Sequence, residues 1–140
     1  MSGRARLGQT VPALPVRDID AAVAYYEQWF GFACPHRDDG FAVLLRDDAR
    51  LHLWRADDTS WRRRPDLAAD PVRSGGESFL AGTASCRIET TDVDALYAEL
   101  SDARVLHPGD SGAVTTTDFG TREFATVDLD GNLVEFYRWT

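Results

Sequence analysis

The chain has 140 residues, 44% hydrophobic and 27% charged, which suits one domain with its own apolar core. Fifteen basic against 23 acidic residues leave a net charge of −8, so nucleic acid is a poor partner and a cationic small molecule a better one. No apolar run approaches the roughly 20 residues of a membrane span. The first ten residues carry Arg4 and Arg6 but no signal-peptide core, so neither membrane nor export is expected, and the cytoplasm is the default compartment.

In chain order, Thr10–Val16 reads as a short extended run. Asp18 then caps a helix on which Ile19, Val23, Tyr26 and Phe30 share one face, with Tyr26 and Trp29 expected to pack on a sheet and Gly31 marking the exit. Phe41–Trp54 alternates apolar residues around Asp47-Asp48 and reads as a β-hairpin. Residues 56–82 form a polar connector rich in Pro and Gly, with Arg62-Arg63-Arg64 expected in solvent. A second extended run, Ser85–Thr90, leads to Asp92 and a helix with Val93, Leu96, Tyr97 and Leu100 on one face, which the chain leaves near Gly109–Gly112. A second hairpin, Phe124–Tyr137, turns at Asp130-Gly131-Asn132. Cys34 and Cys86 lack metal-type spacing and read as small buried apolar residues.

The two stretches are a duplication. Phe41–Trp54 aligns without a gap on Phe124–Tyr137, from 41 to 124, and Asp18 matches Asp92. Each half therefore reads βαβββ: residues 8–55, then the connector 56–82, then residues 83–139, within one α+β domain spanning 1–140. Each half curls its sheet around an open face with its helix outside. Two such cups enclose a cavity lined by inward-facing strand residues.

Several segments in this order resemble the bleomycin-resistance branch of the vicinal oxygen chelate (glyoxalase/bleomycin-resistance) superfamily. They are Val11-Pro12-Ala13-Leu14-Pro15-Val16-Arg17-Asp18, Gly40-Phe41-Ala42-Val43-Leu44, Arg50-Leu51-His52-Leu53-Trp54, residues 74–88, Arg122-Glu123-Phe124-Ala125 and Asp128-Leu129-Asp130-Gly131-Asn132. The resemblance implies a homodimer, strand-swapped with Pro12 at the bend, and two grooves at its interface. Each groove is expected to take one bleomycin-type antibiotic, free or as its metal complex, and to hold it without making or breaking a bond.

The superfamily's enzymes hold a metal at four positions that the repeat maps to Val11, Ser85, His52 and Glu135. Only His52 and Glu135 are good ligands, so neither a protein-held metal nor another cofactor is expected. Those two residues are the whole support for the alternative, a metal-dependent lyase, dioxygenase or thiol transferase. G-x-S-x-G, phosphate-loop and H-E-x-x-H patterns are absent. His36 and His107 have no partner spacing.

A planar bithiazole with a cationic tail calls for flat apolar faces beside negative charge. The resemblance places stacking rings at Phe41 and Phe119, the latter where relatives commonly have Trp. Trp54 alternates with His52, so the two share a strand face. Asp38 and Asp39 flank Phe41 and are candidates for the cationic tail. Ser85 and Cys86 are expected to border the groove, and Glu135 to face it as an ionised carboxylate that attracts a cation.

Overall fold

A computed structural model describes residues 3–77, 80–101, 103–109 and 113–140. The first half runs β1 (Ala13–Val16), α1 (Ile19–Trp29), β2 (Ala33–Arg37), β3 (Phe41–Arg46) and β4 (Ala49–Arg55). The second runs β5 (Ser85–Glu89), α2 (Val93–Ser101), β6 (Thr115–Thr116), β7 (Thr121–Val127) and β8 (Leu133–Trp139). The halves form two four-stranded sheets of identical topology, β1-β4-β3-β2 and β5-β8-β7-β6. In each, the first strand lies parallel to the last and the remaining pairs are antiparallel. This is the βαβββ duplication read from the sequence. Because β1 pairs with β4 of its own chain, no exchanged strand is needed to complete either sheet.

Local chemistry accounts for the helix ends. Asp18 Oδ1 accepts the Ala21 amide at 2.8 Å and Asp92 Oδ1 the Ala95 amide at 3.0 Å, satisfying donors that the first turn leaves open. After α1, Gly31 takes φ 73° and lets Phe30 and Phe32 both donate to the Tyr26 carbonyl. Ile19, Val23, Tyr26 and Phe30 are buried, as are Val93, Leu96 and Leu100. Trp29 is the exception to the expected packing: at 36% exposed it projects from the helix rather than onto the sheet.

Each helix covers one face of its sheet. On β3 and β4 the covered face carries Ala42, Leu44, Leu51 and Leu53; on β7 and β8 it carries Phe124, Thr126, Val134 and Phe136. A polar seam joins the halves. Tyr26 Oη donates to Asp128 Oδ2 at 2.9 Å, and Asn132 Nδ2 to both Asp128 Oδ2 at 3.0 Å and the Pro15 carbonyl at 2.8 Å. Arg46 spans the halves to Glu99 through two bonds of 2.8 and 3.0 Å. Phe30 and Phe136 meet at 6.4 Å between ring centres.

Three further expectations need correction. The strand of the first run is Ala13–Val16, shorter than Thr10–Val16, although the Pro12 carbonyl still accepts the His52 amide at 2.9 Å. The gapless hairpin match holds for β4 and β8 but slips by one residue on β3 and β7. Phe41 opposes Trp54, whereas Glu123 opposes Tyr137, the residue that matches Trp54. The true counterpart of Phe41 is therefore Glu123, and Phe124 is a core residue, 3% exposed. The turns differ in length, and a one-residue slip sends every side chain to the opposite face.

The third correction is the connector. Arg64 is not in solvent. It pairs with Glu77, the two side chains being 8% and 4% exposed. Glu77 Oε2 also accepts the amides of Arg73 at 2.5 Å and Ser74 at 3.0 Å, so one buried carboxylate organises the loop. Ser78 and Phe79, within the segment that carried the family resemblance, and the Asp110–Gly112 part of the expected helix exit lie outside the described residues.

Candidate functional site

Alternation along the strands sends a second set of side chains to the face of each sheet away from its helix. On the first sheet these are Phe41, His52 and Trp54, each half-buried. The Phe41 ring stands edge-on to His52 with centres 4.9 Å apart and tilts against Trp54 at 4.7 Å. His36 lies 6.0 Å from Phe41, and its Nε2 is 3.9 Å from Asp38 Oδ2. The turn before β3 fixes Phe41: Asp38 Oδ1 accepts the Gly40 amide at 2.9 Å, and the Asp38 amide donates to the Phe41 carbonyl at 2.9 Å. Partial burial, reinforced by Arg50, holds the His52 imidazole below its usual pKa. It is a neutral member of the cluster near pH 7.

The connector supports this cluster from the side. Gly75 lies directly on the Trp54 indole, close enough that a Cβ there would stand 2.6 Å from Trp54 Cγ and Nε1. Only glycine permits that approach, and the buried Arg64–Glu77 pair holds the loop in place.

The open face of the second sheet is charged. Arg87 reaches across β8 to β7, placing Nη2 2.6 Å from Glu123 Oε2 and Nη1 3.4 Å from Glu135 Oε2. Its guanidinium lies 4.8 Å from the Tyr137 ring centre and 6.0 Å from that of Phe119. Thr121 Oγ1 donates to Glu123 at 2.8 Å. Chiefly through the Arg87 hydrogen bonds, the Glu123 carboxyl is held below its ordinary pKa. Phe119 is 60% exposed. A cavity of about 320 Å³ opens beside this cluster, with His107, Glu123 and Glu135 among its lining residues.

The sequence-derived candidates thus divide. Phe41, His52, Trp54 and Asp38 come together on the first sheet. Ser85, Glu135 and Phe119 belong to the second. Cys86 does not reach the groove: it is 9% exposed in the core, because it neighbours Ser85 on a strand whose adjacent side chains point to opposite faces. Burial pushes its thiol pKa up to about 11. Asp39 also leaves the aromatic cluster. It lines a small pocket with Asp18, Ile19, Asp20 and Arg55 at the foot of α1, on the helix side of the sheet.

Glu135 faces the open side as expected, with the Arg87 guanidinium 3.4 Å from it. His52 and Glu135 lie on different sheets with different neighbours. Among the described residues, no three His, Cys, Asp or Glu side chains are grouped to hold a metal ion, and no helix is long and apolar enough to cross a membrane. Arg87, Glu123 and Tyr137 were missed by the sequence reading. Alternation from Ser85 places Arg87 on the open face, but the one-residue slip in the hairpin match concealed Glu123.

The duplicated βαβββ sheets, with helices outside and open faces bearing these side chains, define a known class. The chain belongs to the Glyoxalase/Bleomycin resistance protein/Dioxygenase superfamily, whose family model matches residues 6–136. It is 44% identical to a bleomycin resistance protein from Geobacillus stearothermophilus over 130 residues, 93% of this chain and 96% of that one. Its fold matches a bleomycin-binding protein from bleomycin-producing Streptomyces verticillus, crystallised with copper(II)-bleomycin. That match has a TM-score of 0.70 and 29% identity over 95% of this chain and 97% of that one. A lactoylglutathione lyase from Agrobacterium tumefaciens also reaches a TM-score of 0.70, at 20% identity over 96% of each chain, which is a likeness of fold alone.

Proposed function

We propose that this chain binds bleomycin-family glycopeptide antibiotics, including their metal complexes, and confers resistance by sequestering them unchanged. Full-length similarity to a bleomycin resistance protein supports the reading. The observation on the molecule itself that carries it is the pair of open sheet faces. One presents Phe41 backed by His52 and Trp54; the other presents the exposed ring of Phe119 above a carboxylate-rich cluster. Flat rings beside negative charge are what a planar, cationic guest requires. In a cytoplasmic homodimer, the first face of one subunit and the second of its partner would form each groove, giving two grooves per dimer. No chemical step is assigned to the protein; its role is to hold the drug away from DNA.

Calorimetry with copper-loaded bleomycin tests this. Saturation near one drug per subunit is expected, with the drug recovered intact by chromatography. Absence of heat at micromolar concentrations, or recovery of an altered drug, would refute it. Phe41→Ala and Phe119→Ala are each expected to weaken binding by about 2 kcal/mol, roughly thirtyfold.

A further inference from the structure

We propose that Arg87 is the specificity-determining residue of the second sheet's open face: it offsets one of the two carboxylates it pairs with and supports the Phe119 ring, so a cationic guest at this cluster meets one ring and one uncompensated negative charge. The inference rests on the drug-binding reading above and says which charge the groove accepts. Arg87 holds the register position opposite Glu135 that Ala13 holds opposite His52, so at this position the second face carries a positive charge where the first carries none. The guanidinium is gripped from below, by Glu123 at 2.6 Å and 3.4 Å and by Glu135 at 3.4 Å. Tyr137 and Phe119 both lie within cation–π reach of its carbon. Within this cluster, two carboxylates against one guanidinium leave a single net negative charge, to which Glu89, two residues further along β5 on the same face, adds another.

Two functions of one side chain are separable by substitution. Arg87→Met removes the charge and the ring support together. Arg87→Lys keeps the charge but lacks the flat fork that bridges two carboxylates while lying under a ring. Both variants and the unaltered protein are titrated by calorimetry with two copper-bleomycin congeners whose tails differ by one positive charge. Thermal melts confirm that each variant folds.

In Arg87→Met, the ratio of affinities for the more and less charged congener should rise about fivefold at low salt, the factor one unit charge exerts at ~8 Å through an intermediate effective dielectric. That rise should vanish near 1 M salt, where screening acts within ~3 Å. In Arg87→Lys the ratio should stay at its original value while both affinities fall severalfold. An unchanged ratio in Arg87→Met, or an Arg87→Lys protein that binds both congeners as tightly as the original, overturns the assignment. If the unaltered protein binds neither congener, the drug-binding reading itself fails. If Arg87→Met does not fold, Arg87→Gln serves the same comparison.

Discussion

Replacing Gly75 with alanine tests whether the connector is a built part of the first face. The added methyl would stand 2.6 Å from Trp54 Cγ and Nε1, well inside the 3.0 Å that real Cβ contacts respect. Both sides are restrained. The indole is backed by the Phe41 ring at 4.7 Å, and the glycine's loop is held by the buried Arg64–Glu77 pair. Overpacking of a well-filled site costs about 1–3 kcal/mol, and with both partners restrained the upper part of that range is expected. Urea denaturation followed by tryptophan fluorescence measures the loss, and an altered native emission would report the displaced indole. Gly40→Ala is the control: its Cβ would meet only Asp38 Oδ1, at 3.8 Å, so stability should change by no more than about 0.5 kcal/mol. A Gly75→Ala protein as stable as this control would show that the connector does not brace Trp54.

Arg64→Ala leaves Glu77 buried without its cation and should cost about 3–5 kcal/mol in chemical denaturation, whereas Arg64→Met with Glu77→Gln, which removes both charges but keeps an oxygen to accept the Arg73 and Ser74 amides, should cost much less. Tyr26→Phe deletes a hydrogen bond to the buried Asp128 carboxylate across the seam between the halves, and a loss of about 1.5–3 kcal/mol is expected by the same method. His52 gives an acid dependence whose sign follows from its lowered pKa. The unfolded imidazole, near 6.5, takes up its proton before the folded one, so its contribution to stability is complete above that pH and is lost as pH falls toward the folded pKa. Melting temperatures at pH 7.5 and 5.5 should therefore differ more for the unaltered protein than for His52→Gln; equal differences would remove His52 from the acid response.

Local chemistry made much of this protein legible as a string. The caps Asp18 and Asp92, the helical faces and the alternating hairpins each depend on neighbours within a few residues, so their positions can be read directly. The duplication then implied two equal sheets, and strand alternation put His52 and Trp54 on one face. The aromatic anchors Phe41 and Phe119 came from family resemblance, since no local rule separates an exposed ring from a buried one.

What the string left open depended on contacts distant along the chain. Arg64 lies in a run of three arginines and differs from its neighbours only because Glu77 folds back onto it. Asp38 and Asp39 look equivalent until the strand directs one toward His36 and the other toward the foot of α1. The place of Glu123 depended on a register shifted by the length of a turn, and the charge on Glu135 acquired its meaning from Arg87, 48 residues earlier and on an adjacent strand. Sequence alone determined the repeating units and which residues could alternate outward. Tertiary structure decided which of those outward charges are cancelled, because pairing requires two side chains to meet in space and local periodicity carries no record of that meeting.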